Sequence, residues 1–475
     1  MKAAPPNRGP TGPTGSTGPA PAPPLSVLER QVLDRITPTQ AEQQALQGVA
    51  ADLAARLDAE LQREGVPGQA SVQGSVAKGT WLRGGADLDC FLLLDPAVPQ
   101  ERLEQVSLAI GPRVLSGSHK RYAQHPYLIG TFRGLQVDLV PAYRVASATA
   151  RMSAVDRTPF HTAWVRAALG GREGEVRLAK KWMKGIGAYG AQTALGGFSG
   201  YLVEVLVARF GSFAGLVDWL AADARPRRIA LGADEVSDDV ACLVVVDPVD
   251  PARNCAAAVQ EPTLAQALDA ARAYRAAPHA RFFDPSPARA EPSTALHAAL
   301  AQRNEGWMGL LLRPRTDRLD IVFPQFQKAA RTVESALEAA GFPVRRATAT
   351  ADAREEQVLL QWLASGAELP PTRVHAGPPD SGAPNVERFR AKWSTHPDAA
   401  GPVRKGADGR LAVELLVRHR TAPTWLAAHL PGLPLGRHVQ DAMPGSRLLD
   451  DPASVPDEWA PVVADLVLAR RPWER

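Results

Sequence analysis

The residues of this chain with the strongest chemical potential are three aspartates. Asp87 and Asp89 flank the start of a short apolar run, Leu88 to Leu94, bounded by Gly84-Gly85 and by Asp95-Pro96. Such a run reads as a strand, and strand side chains alternate, so the two carboxylates share one face. Asp138 lies in a second alternating stretch, Gly134 to Val140, which Pro141 ends. Three converging carboxylates suit a divalent cation, because Mg2+ takes hard oxygen ligands and keeps substrate phosphate and water in its shell. Two such ions about 4 Å apart stabilise the attacking and leaving oxygens of an in-line displacement at phosphorus. Without a cation, the crowding raises the carboxyl pKa values and costs stability. Upstream stands Gly74-Ser75, expected to end another short strand, with Lys78 and Gly79 close behind. Backbone amides in such a turn can approach a phosphate. Taken alone, Asp-x-Asp also fits a solvated strand edge, and Asp138 an incidental inward polar group.

The elements that must position these residues are legible from periodicity. Thr37-Pro38-Thr39-Gln40 reads as a helix start, with Thr37 as N-cap, Pro38 in the first turn and Gln40 completing the signal. Leu46, Val49, Leu53, Leu57 and Leu61 follow at helical spacing, until Gly65 and Pro67-Gly68 close the element. Glu101 to Ile110 reads as a helix with Leu103, Val106 and Ile110 on one face. Residues 70–145 thus form a small mixed α/β domain. Helical patterns over 172–186, 198–210 and 263–276 indicate a helical second domain. Beyond 305 the pattern turns mixed. Gly309 to Leu312, Leu319 to Phe323, Gln357 to Leu360 and Leu411 to Val417 read as strands. Phe326, Ala329, Val333, Leu337 and Ala340 mark a helix that Gly341 ends. The stretch 364–408, rich in Pro, Gly and Arg, reads as an insertion or irregular subdomain.

Composition bounds the function classes. A length of 475 residues corresponds to roughly three domains of about 150 residues. With 45% hydrophobic and 22% charged residues the chain is ordinary globular material, not fibrous and not mostly disordered. Residues 1–24 are the exception: Pro, Gly, Thr, Ser and Ala cannot bury enough surface to offset ordering entropy, and a disordered extension is expected. Cys90, Cys242 and Cys255 are too few and too scattered for a disulfide framework or a zinc site, which points to a reducing, cytoplasmic compartment. No apolar run reaches the ~18 residues of a membrane span, and the N-terminus lacks the apolar core of a signal peptide. The net charge is +4, yet of 54 basic residues only nine are lysine. Arginine presents a planar fork to phosphates, so a nucleotide or nucleic-acid partner is indicated, although biased codon usage produces the same excess.

The ordered set, Gly-Ser, then Asp-x-Asp, then a distant strand Asp, resembles the polymerase-β-like nucleotidyltransferase superfamily. Further segments narrow the resemblance: Arg121 to Tyr127, Asp138 to Tyr143, Ser153 to His161, Arg177 to Lys180, Gly197 to Leu202 and Asp247 to Asn254. Together they resemble the class I, archaeal-type CCA-adding enzymes, the tRNA nucleotidyltransferases, from about residue 27 to the C-terminus and most strongly over 71–260. The resemblance implies an α+β, multidomain fold: a nucleotidyltransferase head (25–160), a helical, nucleotide-binding neck with a poly(A) polymerase/oligoadenylate synthase-like core (161–284), and a mixed α/β, tRNA-binding body and tail (285–475, with the tail roughly 364–425 inserted). It implies template-independent addition and repair of the terminal CCA of tRNA from CTP and ATP, with two Mg2+ ions and release of pyrophosphate. Its partners are then tRNA (acceptor stem and 3′ end), CTP and ATP, with no membrane and with a homodimer as an option.

Residue by residue, the resemblance makes Asp87, Asp89 and Asp138 the catalytic metal carboxylates, with Asp138 also acting on the attacking 3′-hydroxyl. Ser75 and Lys78 match the loop that holds the triphosphate. Many relatives carry arginine where Lys78 stands, and lysine keeps the charge but loses the bidentate fork. His161, Lys180 and Tyr189 match contacts to the sugar and phosphates, and Arg253 the contact to the incoming base. The residues themselves admit plainer roles. Arg177, Lys180, Lys181 and Lys184 share one helix face, opposite Leu178, Trp182 and Gly185, and a solvated basic face looks the same. His161 also suits a satisfied core position, Tyr189 a packed one, and Arg253 an ion pair with Asp247 or Asp250. Gly196-Gly197-Phe198-Ser199-Gly200 lacks the Gly-Lys-Ser/Thr ending of a P-loop and reads as a tight helix start with Ser199 near the N-cap. Arg313, Arg315, Arg345, Arg346, Arg373, Arg388 and Arg390 are candidates for contacts with tRNA phosphates. Two alternatives stand beside the main reading: a relative of narrowed activity (CC-adding, A-adding, or a poly(A) or oligoadenylate polymerase), and a catalytically silent RNA-binding scaffold, which the intact aspartates speak against.

Overall fold

The structure is a computed structural model that describes residues 24–122, 126–192, 195–222, 228–229, 241–316, 318–352, 354–380 and 384–475. The expected 1–24 extension lies outside them apart from Pro24, as do Ala123, Gln124 and His125 of the Arg121–Tyr127 segment. The chain divides into two compact units, one ending at Ser286 and the other beginning at Pro287.

The first unit opens with helix α1 (Val27–Ile36), whose N-cap Ser26 exchanges bonds with Glu29. Helix α2 (Gln40–Arg63) starts two residues later than the Thr37 expectation. Its N-cap is Thr39, whose hydroxyl accepts from the Glu42 N–H while the Glu42 carboxylate accepts from the Thr39 N–H. Thr37 is already committed as the C-cap of α1, its N–H donating to the Leu33 carbonyl. Strand β1 (Gly68–Val72), the one-turn helix α3 (Gly74–Ala77), strand β2 (Leu88–Leu94), helix α4 (Gln100–Val114) and strands β3 (Ser116–Tyr122), β4 (Pro126–Phe132) and β5 (Leu135–Tyr143) follow. Gly74-Ser75 therefore opens a helical turn instead of ending a strand. The sheet order is β1-β2-β5-β4-β3, with β2 and β5 parallel and the other neighbours antiparallel. Periodicity missed β3 and β4.

The pleat explains where the aspartates go. Leu88, Cys90, Leu92 and Leu94 of β2, with Val137 and Leu139 of β5, share a core with Leu53, Leu57 and Leu61 of α2 and with Leu103, Val106 and Ile110 of α4. Burying each of these leucines is worth about 1.5–3 kcal/mol, which holds the register against a one-residue slip. Asp89 and Asp138 are thereby forced onto the face away from α2 and α4.

Helices α5 (Thr158–Leu169), α6 (Glu173–Gly185), α7 (Gly200–Phe210) and α8 (Phe213–Ala222), the short strands β6 (Arg228–Ile229) and β7 (Val244–Val245), and helix α9 (Glu261–Ala276) complete the unit. Ser199 caps α7, its hydroxyl accepting from the Leu202 N–H. Helix α8 was not expected; it meets α7 at 92°. Trp182, Phe213 and Tyr274 pack edge to face between α6, α8 and α9. Among the described residues no single helix is long and apolar enough to cross a membrane.

The second unit contains α10 (Ser293–Gln302), β8 (Glu305–Leu312), α11 (Leu319–Ala340), β9 (Val344–Ala351), β10 (Val358–Ser365), β11 (Thr372–Pro379), α12 (Pro384–Ser394), β12 (Arg404–Lys405), β13 (Arg410–Leu416), α13 (Ala422–His429), α14 (Arg437–Ala442), β14 (Arg447–Leu449) and α15 (Ala460–Val467). One sheet runs β14-β8-β10-β9 and a second runs β11-β13-β12. Leu319 to Phe323 is not a strand but the start of α11. Leu319, Val322, Phe323, Phe326, Ala330, Val333 and Leu337 are all buried, a continuous helical stripe that includes the segment before Pro324. The chain leaves the first sheet after β10 and returns to it at β14. Between them, β11, α12, β12 and β13 order much of the Pro- and Arg-rich stretch, with Trp393, Val413 and Leu415 as their core.

Candidate active site

Asp89 and Asp138 are register partners on the parallel strands β2 and β5. Asp87, exposed, immediately precedes β2. The backbone closes on this group from one side. Gly74 has φ +66°, and a Cβ there would lie 1.7 Å from Asp89 Oδ2. No other residue type fits that position. Burial and then the Asp138 charge push the Asp89 carboxyl up to about 6, while Lys78 and Lys180 pull the other way. Asp138 is also raised, by burial and by Asp87, against a bond from Gln136 Nε2. These are carboxylates crowded in a partly dry place, and a cation relieves that crowding. Among the described residues no three Asp, Glu, His or Cys side chains form a ready-made metal cage. The donor set still fits Mg2+, which keeps waters and substrate phosphates and needs only a few protein carboxylates.

A second cluster borders the first. Glu204 of α7 is fully buried. Its Oε2 accepts from Lys78 Nζ at 2.5 Å, and its Oε1 accepts from Lys180 Nζ at 2.7 Å and from Thr80 Oγ1 at 2.6 Å. Burial opposes a charge on Glu204, yet Lys180 and Lys78 hold the carboxylate well below the usual range. Burial pushes Lys180 down, with Glu204 opposing. Arg177 donates to the carbonyls of Gly79 and Trp81, fastening α6 to the same loop. The expected basic face of α6 is thus divided: Lys180 is buried, Lys181 pairs with Asp284, and Lys184 is exposed above the Tyr189 ring. Ser75 is half-buried in α3, its carbonyl accepting from the Thr80 N–H. Tyr189 is half-buried beside the start of α7, where a Cβ on Gly200 would lie 2.8 Å from its hydroxyl oxygen. Burial and the charges of Glu204 and Asp89 push that hydroxyl up to about 12.

A third cluster forms around buried Asp247. Oδ2 pairs with His161 Nε2 at 2.9 Å and accepts from Arg253 at 2.8 Å, and Oδ1 accepts from the Tyr201 hydroxyl at 2.9 Å. The Tyr201 ring stacks on His161 with centroids 4.0 Å apart, and Arg253 and Lys78 both lie within 6 Å of it, at 5.9 and 5.8 Å. Tyr201 thus joins the second and third clusters. Burial lowers the His161 pKa, with the bond to Asp247 and its charge opposing. Of the two acids considered for Arg253, Asp247 holds it, while Asp250 takes Arg151 and Arg157. Sequence reasoning missed Glu204, Thr80 and Tyr201. Glu204 had a signal: it is the lone acid in the apolar run Leu202 to Val207.

Comparisons with known proteins give the same outline. Residues 56–161 match the nucleotidyltransferase domain family, 174–284 the second domain of tRNA nucleotidyltransferases, and 316–449 the C-terminal domain of CCA-adding enzymes. The CCA-adding enzyme of Halobacterium salinarum is 38% identical over 420 residues, covering 87% of this chain and 91% of that protein. That of Methanoregula boonei is 35% identical over 421 residues, covering 87% and 89%. Among solved structures, E. coli CdnC with ATP aligns at 20% identity and a TM-score of 0.42, over 55% of this chain and 92% of that one.

Proposed function

The chain belongs to the CCA-adding enzyme family, and we propose from this premise that Asp87, Asp89 and Asp138 carry its nucleotidyl transfer. Its activity is template-independent addition of CCA to the 3′ end of tRNA, as a nucleotidyltransferase that uses CTP and ATP. The observation that carries the assignment of the carboxylates is the register pairing of Asp89 with Asp138, on the sheet face opposite α2 and α4.

Two Mg2+ ions held by Asp87, Asp89 and Asp138 would supply Lewis-acid stabilisation of the attacking and leaving oxygens. Asp138 takes the proton of the 3′-hydroxyl of tRNA. That oxygen bonds to the α-phosphorus of CTP or ATP, the bond from the α-phosphorus to the bridging oxygen breaks, and pyrophosphate leaves. Ser75, Lys78 and Lys180 form the phosphate side of the pocket, and Tyr189 borders the sugar. His161 and Arg253, both pinned by Asp247, form the side that meets sugar and base. A guanidinium fixed through one nitrogen presents its remaining donors rigidly. Protein donors of this kind stand in for template bases. The reading extends to a cytoplasmic location without membrane association. It leaves a homodimer as an option that light scattering on the purified chain decides.

Labelled CTP and ATP, supplied separately and together with Mg2+, test the reading on tRNA transcripts that end before CCA, at C and at CC. The expected result is two C, then one A, then arrest. C alone, A alone or a homopolymer refutes full CCA addition, and no incorporation refutes catalysis.

A further inference from the structure

We infer that Glu204 is a positioning residue for nucleotide binding, holding Lys78 and Lys180 as one unit beside the catalytic carboxylates. The inference rests on the phosphate side assigned above and deepens it. A carboxylate in the middle of an apolar helix is costly to bury unless it is paired and hydrogen-bonded. Here it is paired twice, with Lys78 from the loop after α3 and with Lys180 from α6. Thr80 adds a third bond and couples the two halves, since its hydroxyl donates to Glu204 and accepts from Lys180 at 2.9 Å. All four side chains are at least nine-tenths buried. One carboxylate on α7 therefore fixes a catalytic-loop lysine and a neck lysine in a single arrangement.

The hydrogen-bond inventory divides the labour between the two lysines. An ammonium has three N–H donors. Those of Lys180 go to Glu204 Oε1, Thr80 Oγ1 and, at 3.4 Å, the Thr80 carbonyl. Lys180 is saturated within the protein. Lys78 makes one hydrogen bond among the described residues, to Glu204, and keeps two donors for an incoming anion. Two cations share one anion, so one positive charge is left over. That charge lies close enough to the carboxylates for both lysines to pull the Asp89 pKa down. Lys78 offers the free donors to phosphate, Lys180 adds its charge to the same side while bracing Lys78 through Thr80 and Glu204, and Glu204 sets both. Because the unit touches neither base nor tRNA in this assignment, its loss affects CTP and ATP alike.

The test is Glu204→Gln, with Thr80→Val as a milder variant that removes the hydroxyl's bonds to Glu204 and from Lys180 but no charge. Wild-type CCA addition is measured alongside, so that failure of the functional reading is seen separately. The probe is inorganic triphosphate, its dissociation constant read by calorimetry, together with KM for CTP, ATP and tRNA, and circular dichroism melting as the control for folding. E204Q is expected to weaken triphosphate binding and raise both nucleotide KM values by roughly tenfold, the scale of one charge-assisted hydrogen bond. T80V is expected to shift them about threefold in the same direction, with KM for tRNA within about twofold of wild type. A purely structural role moves the melting temperature without this selective change. If E204Q does not fold, T80V carries the test. Folded variants that bind triphosphate as wild type does, in a preparation that adds CCA, overturn the role of Glu204.

Discussion

Asp89→Asn separates the chemistry of the site from its stability. The Asp89 carboxyl has its pKa at about 6, against 3.8 for the ordinary group. Between those values the folded chain holds a proton that the unfolded chain has lost. Stability therefore falls as pH rises through that window, and the loss is complete above about 6. The difference corresponds to about 3 kcal/mol at 1.36 kcal/mol per unit. An asparagine keeps the shape and carries no charge to desolvate or to repel Asp138 and Asp87. In metal-free buffer at pH 7.5 the variant should be more stable than wild type by up to about 3 kcal/mol, a melting shift on the order of 3–5 °C for a unit of this size. Near pH 4 the two should melt together. Mg2+ should raise the melting temperature of wild type at pH 7.5 and leave the variant nearly unmoved, while incorporation of CTP and ATP by the variant falls to background with tRNA binding retained. Scanning calorimetry at both pH values, with EDTA and with Mg2+, reads every arm. Equal or lower stability of the variant at pH 7.5 without metal would refute the reasoning that crowded carboxylates strain this site.

Gly74→Ala should abolish incorporation, because the added methyl overlaps Asp89 Oδ2 and the residue must hold φ +66°; Gly84→Ala, which meets no atom within 4 Å but shares a positive φ, controls for backbone strain in the same assay. Asp247→Asn removes charge-assisted bonds to Arg253 and His161, and should cost about 3 kcal/mol in urea unfolding and raise misincorporation of UTP or GTP in primer-extension assays. Thr39→Ala should cost about 1 kcal/mol as the loss of the α2 N-cap, whereas Thr37→Ala should stay within about 0.5 kcal/mol; the reverse order in urea midpoints would restore Thr37 as the cap.

Periodicity and composition by themselves determined that Asp89 and Asp138 lie on strands and that Ser199 starts a helix. Each of these depends on neighbours a few residues apart, where the pleat or the helical turn leaves one geometry. The roles of Lys78, His161, Lys180, Tyr189 and Arg253 came from resemblance, not from spacing. Short-range pattern failed where two elements compete for the same residues. Thr37 carries an N-cap residue type but is spent on closing α1, and Leu319 to Phe323 is apolar enough for a strand until its stripe is followed across Pro324 into α11. Only the tertiary structure decided that Asp89 stands opposite Asp138, that Asp247 gathers His161, Tyr201 and Arg253, and that Glu204 joins Lys78 to Lys180. Those partners are far apart in sequence. Which strand lies beside which, and which lysines meet a buried acid, follows from the packing of whole faces. Desolvation then leaves each buried charge only the partners that packing brings within reach.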